Sequence, residues 1–356
     1  MVRCKKCLLP DTKPGLVIDA EGVCSACRHV EAKASIDYAA RFDVLKKLCD
    51  KYRRPSGHDC IITVSGGKDS TFQTYVFKEI LDMHPLLLHV DDNFEHTEAG
   101  KHNVENLIRR FDCDMVTMRI GESLNRNMMR WGFENIGSSN WAVDRAIYAW
   151  PLKYAIQSGI KLIVYGEDVA WEYGGVFNSE DYSAKRQIYN DVVKPLDDAQ
   201  LVAAGCTSHQ WEMMKYPSQL EIEESGIEPI YLSYFVKWDW MKILRIAKDC
   251  GFWALQHDEY TESTEWRRIG YADNFIQIDS IGYLFNYYLK YLKLGWSQAT
   301  HYVSNMIRWG HMTKEEGQCF IDTCEGKLDP RIINDFLRVT GYTRYEVDGI
   351  IKNRKW

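Results

Sequence analysis

Between Ile62 and Ser70 the chain reads ITVSGGKDS, which gathers two glycines, a lysine, an aspartate and two serine hydroxyls within six residues. Successive backbone N–H groups in a glycine turn that opens a helix form an anion-binding nest, reinforced by the helix dipole. Gly66 and Gly67 permit close approach to phosphate oxygens, Ser65 and Ser70 add hydroxyl donors, and Lys68 adds positive charge. The usual phosphate loop follows its lysine with Ser or Thr, whose hydroxyl holds magnesium. Asp69 stands there instead, so a carboxylate serves either the metal or the helix N-terminus. Further on, GEDVAWEYGG (166–175) offers Glu167, Asp168 and Glu172 just behind Gly166. Carboxylates there can hold the Mg²⁺ that offsets phosphate charge, although helix-start carboxylates alone account for them equally well.

A second constellation lies at the start. Cys4 and Cys7 in CKKC and Cys24 and Cys27 in CSAC are separated by sixteen residues. Two such knuckles can place four thiolates tetrahedrally around Zn²⁺, as in a structural zinc ribbon. The intervening LLPDTKPGLVIDAEGV has too little apolar material to fold without the metal. A closed four-cysteine site leaves no position for substrate, which assigns it to structure or partner docking. The remaining cysteines, 49, 60, 113, 206, 250, 319 and 324, form no second C-x-x-C pair.

The elements that must position these groups alternate. DCIITVSGGKDS reads as a buried strand over 61–64, a glycine turn, and a helix beginning near Asp69; HPLLLHVDDN is a strand, EAGKHNVENLIRRF a helix, CDMVTMRI a strand, DRAIYAWPLKYAIQSG a helix and KLIVYG a strand. Strands alternating with helices predict an α/β fold with a doubly wound, mostly parallel sheet, whose ligands sit beyond the carboxyl ends of the strands. Three of those ends are chemically distinctive: SGGKDS, HVDDN and YGED. Beyond about residue 200 the alternation is expected to give way to aromatic-rich helices. The predicted division is a zinc ribbon over 1–35, a nucleotide-binding domain over 36–200 and a helical region over 201–356.

At 356 residues the chain can bury a sizeable core, and a net charge of −6 argues against a surface built for nucleic acid. No run of about 18 uncharged apolar residues predicts a membrane span, and no apolar leader is evident, so the expectation is a cytoplasmic protein.

The loop resembles the S-G-G-x-D-S signature of pyrophosphate-loop ATP pyrophosphatases, and 166–175 is similar to the G-E-x-x-D-E-x-x-G-G segment of their asparagine-synthetase-like members, with its second acidic residue displaced. The resemblance implies that ATP is gripped by its leaving pyrophosphate while AMP passes to a carbonyl oxygen. More broadly, CKKCLLPDTKPG, EGVCSAC, VSGGKDST, GED with WEYGG, YFVKWDW and IRWGHMTKEE resemble the N-acetyl sugar amidotransferase family of bacterial surface-polysaccharide and nonulosonic-acid biosynthesis. One departure is LGWSQAT, around Trp296 to Gln298, where the family pattern favours a glycine and an arginine.

This resemblance implies an enzyme using ATP and Mg²⁺ that adenylates the acetamido oxygen of an N-acetylated sugar, after which ammonia displaces AMP and leaves an acetamidino group. The adenosine is expected near Val90 and Asp91. A chain beginning Met-Val-Arg does not match an N-terminal-cysteine glutaminase, and AAGCTSH around Cys206 only faintly imitates the other glutaminase class. The resemblance therefore implies a separate glutaminase subunit similar to that of histidine biosynthesis, with a cyclase-like scaffold, docking on exposed C-terminal aromatics. Lys185 and Arg186 are candidates for pyrophosphate or substrate carboxylate, and Arg267 and Arg268 for an anionic sugar; a solvated charged face is the commoner use of such residues. His257 is read as structural. Two alternatives stay open: tRNA thiolation, whose enzymes also carry paired C-x-x-C modules, and a non-catalytic zinc-ribbon adaptor.

Overall fold

The computed structural model describes residues 1–175, 181–185, 198–255, 266–354 and 356. Arg186 and His257 lie outside them. Five strands, β1 (Cys60–Val64), β2 (Pro85–Asp91), β3 (Asp114–Arg119), β4 (Leu162–Tyr165) and β5 (Glu228–Tyr231), form one sheet in the order β3-β2-β1-β4-β5. Every pairing is parallel; Cys60 lies opposite both Pro85 and Leu162. The chain leaves β1 in one direction for β2 and β3, then returns across it to β4, so the reversal point lies between β1 and β4.

The helices are α1 (Ser25–Lys33), α2 (Tyr38–Tyr52), α3 (Lys68–Tyr75), α4 (Glu98–Phe111), α5 (Glu122–Ile136), α6 (Trp141–Ser158), α7 (Val169–Tyr173), α8 (Asp198–Ala203), α9 (Ser208–Trp211), α10 (Gln219–Ser225), α11 (Trp240–Asp249), α12 (Phe285–Leu294), α13 (Gln298–Arg308), α14 (Lys314–Cys324), α15 (Pro330–Thr340) and α16 (Arg344–Lys352). Alternate residues of β1 face opposite layers, as a period of two requires. Cys60, Ile62 and Val64 pack with Leu45 of α2, Phe72 of α3, Leu107 of α4 and Leu244 of α11; Ile61 packs with Ala149 and Leu152 of α6 and Ile222 of α10. The sheet is therefore wound on both faces. A third cluster joins α5, α12, α15 and α16 around Phe133, Phe285 and Phe336.

Two local expectations are corrected. Alternation does not stop near residue 200, because β5 pairs with β4 as far as Tyr231, and the sheet draws on residues from both sides of that boundary. A strand reading EPIY, half of it glutamate and proline, shows no apolar run of the kind that marks LIVY of β4. The helix after the glycine loop also changes form, since Val76–Ile80 is a π turn closed by Leu81 N–H donating to the Val76 carbonyl. Among the described residues no helix is long and apolar enough to cross a membrane.

The N-terminal segment is not a detached appendage. Cys4, Cys7, Cys24 and Cys27 are all buried, in a cluster with Leu9, Val23 and Trp296. Thr12 Oγ1 donates to the Leu294 carbonyl at 2.6 Å, Arg308 Nη1 donates to Cys7 Sγ at 3.4 Å, and Lys13 Nζ donates to the Gly174 carbonyl. The segment thus clamps α12 and α13 on one side and α7 on the other.

Candidate active site

The glycine loop occupies the carboxyl end of β1, at the reversal point, where parallel α/β sheets place their ligands. Gly66 has φ +82°, a left-handed backbone that favours glycine, and a Cβ there would meet Val104 Cγ2 at 2.8 Å and the Val104 nitrogen at 3.2 Å. No other residue type fits between the loop and α4. The loop is tied by Ser65 N–H donating to Ser70 Oγ at 2.9 Å and by Thr71 N–H donating to the Gly67 carbonyl at 3.0 Å. No side chain caps α3, which leaves its first-turn N–H groups for an anion.

Lys68 is almost wholly buried and its Nζ lies 2.5 Å from Asp69 Oδ2, with the Trp240 ring 4.9 Å away. Gly166, at the end of β4, faces the loop helix so closely that a Cβ would meet Gln73 Nε2 at 3.1 Å and Trp238 at 3.4 Å. That approach delivers Glu167 to Asp69. Burial, and then the Asp69 charge, raise the Glu167 carboxyl to about 7. Its position is fixed by a relay in which Trp240 Nε1 donates to Tyr173 Oη at 3.0 Å and Tyr173 Oη donates to Glu167 Oε1 at 3.1 Å.

Asp69 Oδ1 is buried without a hydrogen-bond partner. An orphaned carboxylate oxygen beside a second, mutually repelling carboxylate fits a hard divalent cation, which binds oxygen donors and would relieve the repulsion. Asp69 and Glu167 are the residues that would hold such a cation, as Mg²⁺. With folding, the Glu167 carboxyl rises from 4.5 to about 7, so its stabilising contribution is full below about pH 4.5 and is lost as pH rises through 7. In metal-free buffer the melting temperature of Glu167→Gln should therefore gain on that of the unaltered protein between pH 5 and 8, and added Mg²⁺ should close the gap. A gap independent of both pH and Mg²⁺ would remove this assignment.

The other acidic residues are used differently. Asp168 caps α7, accepting from Ala170 N–H at 2.9 Å and Trp171 N–H at 3.3 Å. Glu172, expected to hold metal, is buried against Lys33 of α1, with Nζ and Oε2 2.6 Å apart. Burial raises its carboxyl, and Lys33 opposes that rise. The pair joins the cysteine segment to the element behind Glu167. Lys33→Met should cost about 3–5 kcal/mol by leaving a buried charge unpaired, and Lys33→Met/Glu172→Gln should recover most of it. Urea unfolding of both variants checks this; equal losses would show that the pair itself is not what binds the two parts.

Val90 and Asp91 end β2 as expected, at the carboxyl edge beside the loop. His96 Nε2 lies 2.9 Å from Asp91 Oδ1, and its pKa is raised to about 8, chiefly by Asp91. Lys185 does not join the site: its Nζ lies 3.7 Å from Glu228, the first residue of β5, at the opposite end of the sheet. Arg267 is exposed. Arg268, expected to meet a sugar, is instead buried and organises its own loop, donating to the carbonyls of Ile276 at 2.8 Å and Asp273 at 2.9 Å and to Asp273 Oδ1 at 3.0 Å. The Tyr173–Trp240 relay was not read from the sequence, although the tryptophan-rich WDW turn was a signal for it.

The four cysteines form a metal-type centre. Cys4 Sγ lies 3.9 Å from Cys27 Sγ and Cys7 Sγ 3.6 Å from Cys24 Sγ, with all four sulfur atoms within 4.8 Å of one another. A tetrahedron with Zn–S bonds of about 2.3 Å has edges of about 3.8 Å, so the spacing fits one zinc ion. An iron–sulfur cubane would place each thiolate on a different iron.

Sheet order, glycine loop and strand-end carboxylates define the class: a parallel α/β protein with a glycine loop opening a helix at the reversal point of its sheet. Residues 246–355 match the family described as LPS biosynthesis protein WbpG-like, C-terminal domain. No curated protein matches. Similar solved structures include an NMN synthetase from Francisella tularensis (15% identity, 63% of this chain and 87% of that one, TM-score 0.31). Others are an NH3-dependent NAD synthetase from Campylobacter jejuni (13%, 60% and 93%, 0.32) and the U34-tRNA thiolase NcsA from Methanococcus maripaludis (14%, 70% and 89%, 0.28). At these TM-scores the likenesses carry no argument about this chain.

Proposed function

We propose that the protein is an ATP-dependent, AMP-forming amidotransferase that converts the acetamido group of an N-acetylated sugar to an acetamidino group. The observation that carries the reading is Lys68, Asp69 and Glu167 brought together at the reversal point of the sheet, in a chain whose C-terminal region is WbpG-like. The loop N–H groups and Lys68 hold the β- and γ-phosphates. The acetamido oxygen attacks the α-phosphorus, the bond to pyrophosphate breaks, and an O-adenylyl imidate forms. Ammonia adds to the imidate carbon, and AMP leaves with the former amide oxygen. Amide oxygen is a weak nucleophile, so alignment and charge neutralisation supply much of the rate. Bound Mg²⁺ at Asp69 and Glu167 would neutralise the departing pyrophosphate.

Ammonia comes, in this reading, from a separate glutaminase similar to that of histidine biosynthesis, with a cyclase-like scaffold. Cys206 is buried and its thiol is pushed up by burial, which is the reverse of an activated nucleophile. Tyr345 and Phe320 are exposed C-terminal aromatics available for such docking. Thiolation is disfavoured because Cys60 opens β1 and Cys113 directly precedes β3, placing both at the end of the sheet away from the loop.

The test is incubation with ATP, Mg²⁺, ammonium and N-acetylated sugars, following AMP, pyrophosphate and a product about 1 Da lighter. ADP in place of AMP sinks the loop assignment, and AMP formed only with tRNA favours thiolation.

A further inference from the structure

Helix α13 carries Gln298, His301, Asn305 and Arg308 at intervals of three, four and three, which puts four nitrogen-bearing side chains on one face. Such a stripe normally faces water. This one is largely turned inward: Gln298 is 3% and Asn305 0% exposed, and His301 and Arg308 are half-buried. Gln298 Nε2, Asn305 Nδ2, Arg308 Nε and, just before the helix, Trp296 Nε1 are buried without hydrogen-bond partners. All four are donors. An unpaired buried donor costs free energy in the empty protein, and three on this face of α13 with a fourth just before the helix point to an oxygen-rich ligand that pairs them.

Charge agrees with this. Lys290 Nζ lies over the Trp296 ring at 3.5 Å, and burial, followed by the Lys13 charge, pulls its pKa down to about 7. His301 is held well below its ordinary range by burial and by Lys290, Arg308, Lys13 and Lys68. Of the neighbouring carboxylates, Glu325 accepts from Ser297 Oγ and from Thr300 N–H and Oγ1, and Glu172 pairs with Lys33 through Oε2 while its Oε1 is buried without a hydrogen-bond partner. Lys13 already donates to the Gly174 carbonyl. The stripe also leads to the nucleotide loop, because the His301 ring stacks on Trp240 at 5.6 Å while Lys68 Nζ lies 4.9 Å from that same ring.

We infer that this face of α13, with Lys290, is the wall that binds the acceptor sugar through an anionic oxygen group, either a carboxylate or a phosphate. The inference rests on the amidotransferase reading for the acceptor's being a sugar.

The test is calorimetric titration of the full chain, with its metal, in the presence of saturating α,β-methylene-ATP, which occupies the glycine loop and cannot release pyrophosphate. The probes are N-acetylneuraminic acid for a carboxylate, UDP-N-acetylglucosamine for a diphosphate, and neutral N-acetylglucosamine. The expected result is binding of one charged probe at least about tenfold tighter than the neutral sugar, the tighter of the two identifying the anion. Lys290→Met and Gln298→Leu should each weaken it about tenfold. Gln298→Leu should do so with an unchanged or raised melting temperature, because it deletes an unpaired buried donor; a merely structural glutamine would not separate the two readouts. Charged probes that bind no better than the neutral sugar, or variants that bind like the unaltered protein, overturn the inference. AMP formation assayed on the same preparations separates the two ideas. AMP with indifferent binding removes only the wall, whereas selective binding without AMP for any acceptor removes only the reaction.

Discussion

Lys68→Met is expected to lower the proposed AMP-forming turnover by about a thousandfold while the protein remains folded. The ammonium is nearly inaccessible to water, 2.5 Å from Asp69, and bordered by Trp240 and Phe275, so its charge acts in a medium that screens weakly. Preorganised charge aimed at a departing phosphate is worth about 10²–10³ in rate per group. Methionine keeps the apolar stem and removes only the charge. Asp69→Asn should lose turnover on the same scale by removing an oxygen that fits the metal, whereas Asp69 remains open enough to water that folding survives either change. Quenched-flow assay of AMP and pyrophosphate, with circular dichroism of the same samples, checks both. Turnover within threefold of the unaltered enzyme in either variant would end the role assigned to that residue.

Stripping metal from the four-cysteine centre is expected to lower the proposed activity at a distance. The prediction is one zinc per chain by mass spectrometry of the purified protein and, after chelation, loss of ordered structure over residues 1–33 with at least about a tenfold fall in turnover. The segment has little apolar core of its own, so four uncompensated thiolates would open it. Opening removes the cover over Trp296, the Arg308 contact to Cys7, and the Lys33 partner of Glu172. Both α7, which carries the Tyr173 relay, and α13 would then lose a wall. Hydrogen exchange before and after chelation reads this directly. Unchanged protection in α7 and α13 would reduce the segment to an inert attachment.

The legible parts of the chain were local ones. SGGKDS announces a strand-to-helix anion nest because every group that makes the nest lies within six residues. CKKC and CSAC announce a tetrahedral site because a C-x-x-C knuckle sets its own sulfur spacing. The first four strands were visible as apolar runs between turn residues, and β5 was not, because half of EPIY is a glutamate and a proline and its reason for being a strand is the edge of β4.

Roles that depend on a distant partner were hidden. Glu167, Asp168 and Glu172 look alike in sequence, yet one faces Asp69, one caps a helix and one is neutralised by Lys33 from α1. Arg268 looks like a sugar ligand until its loop folds around it. The stripe on α13 reads as an ordinary polar helix face until Trp240, Lys290 and the cysteine segment bury it. The sequence by itself determined which groups the chain has for gripping phosphate and metal, since backbone turns and short spacings fix those. Only the tertiary structure decided which carboxylate, which arginine and which helix face remain for chemistry, because a buried charge or donor takes its role from whatever the fold places within about 3 Å of it.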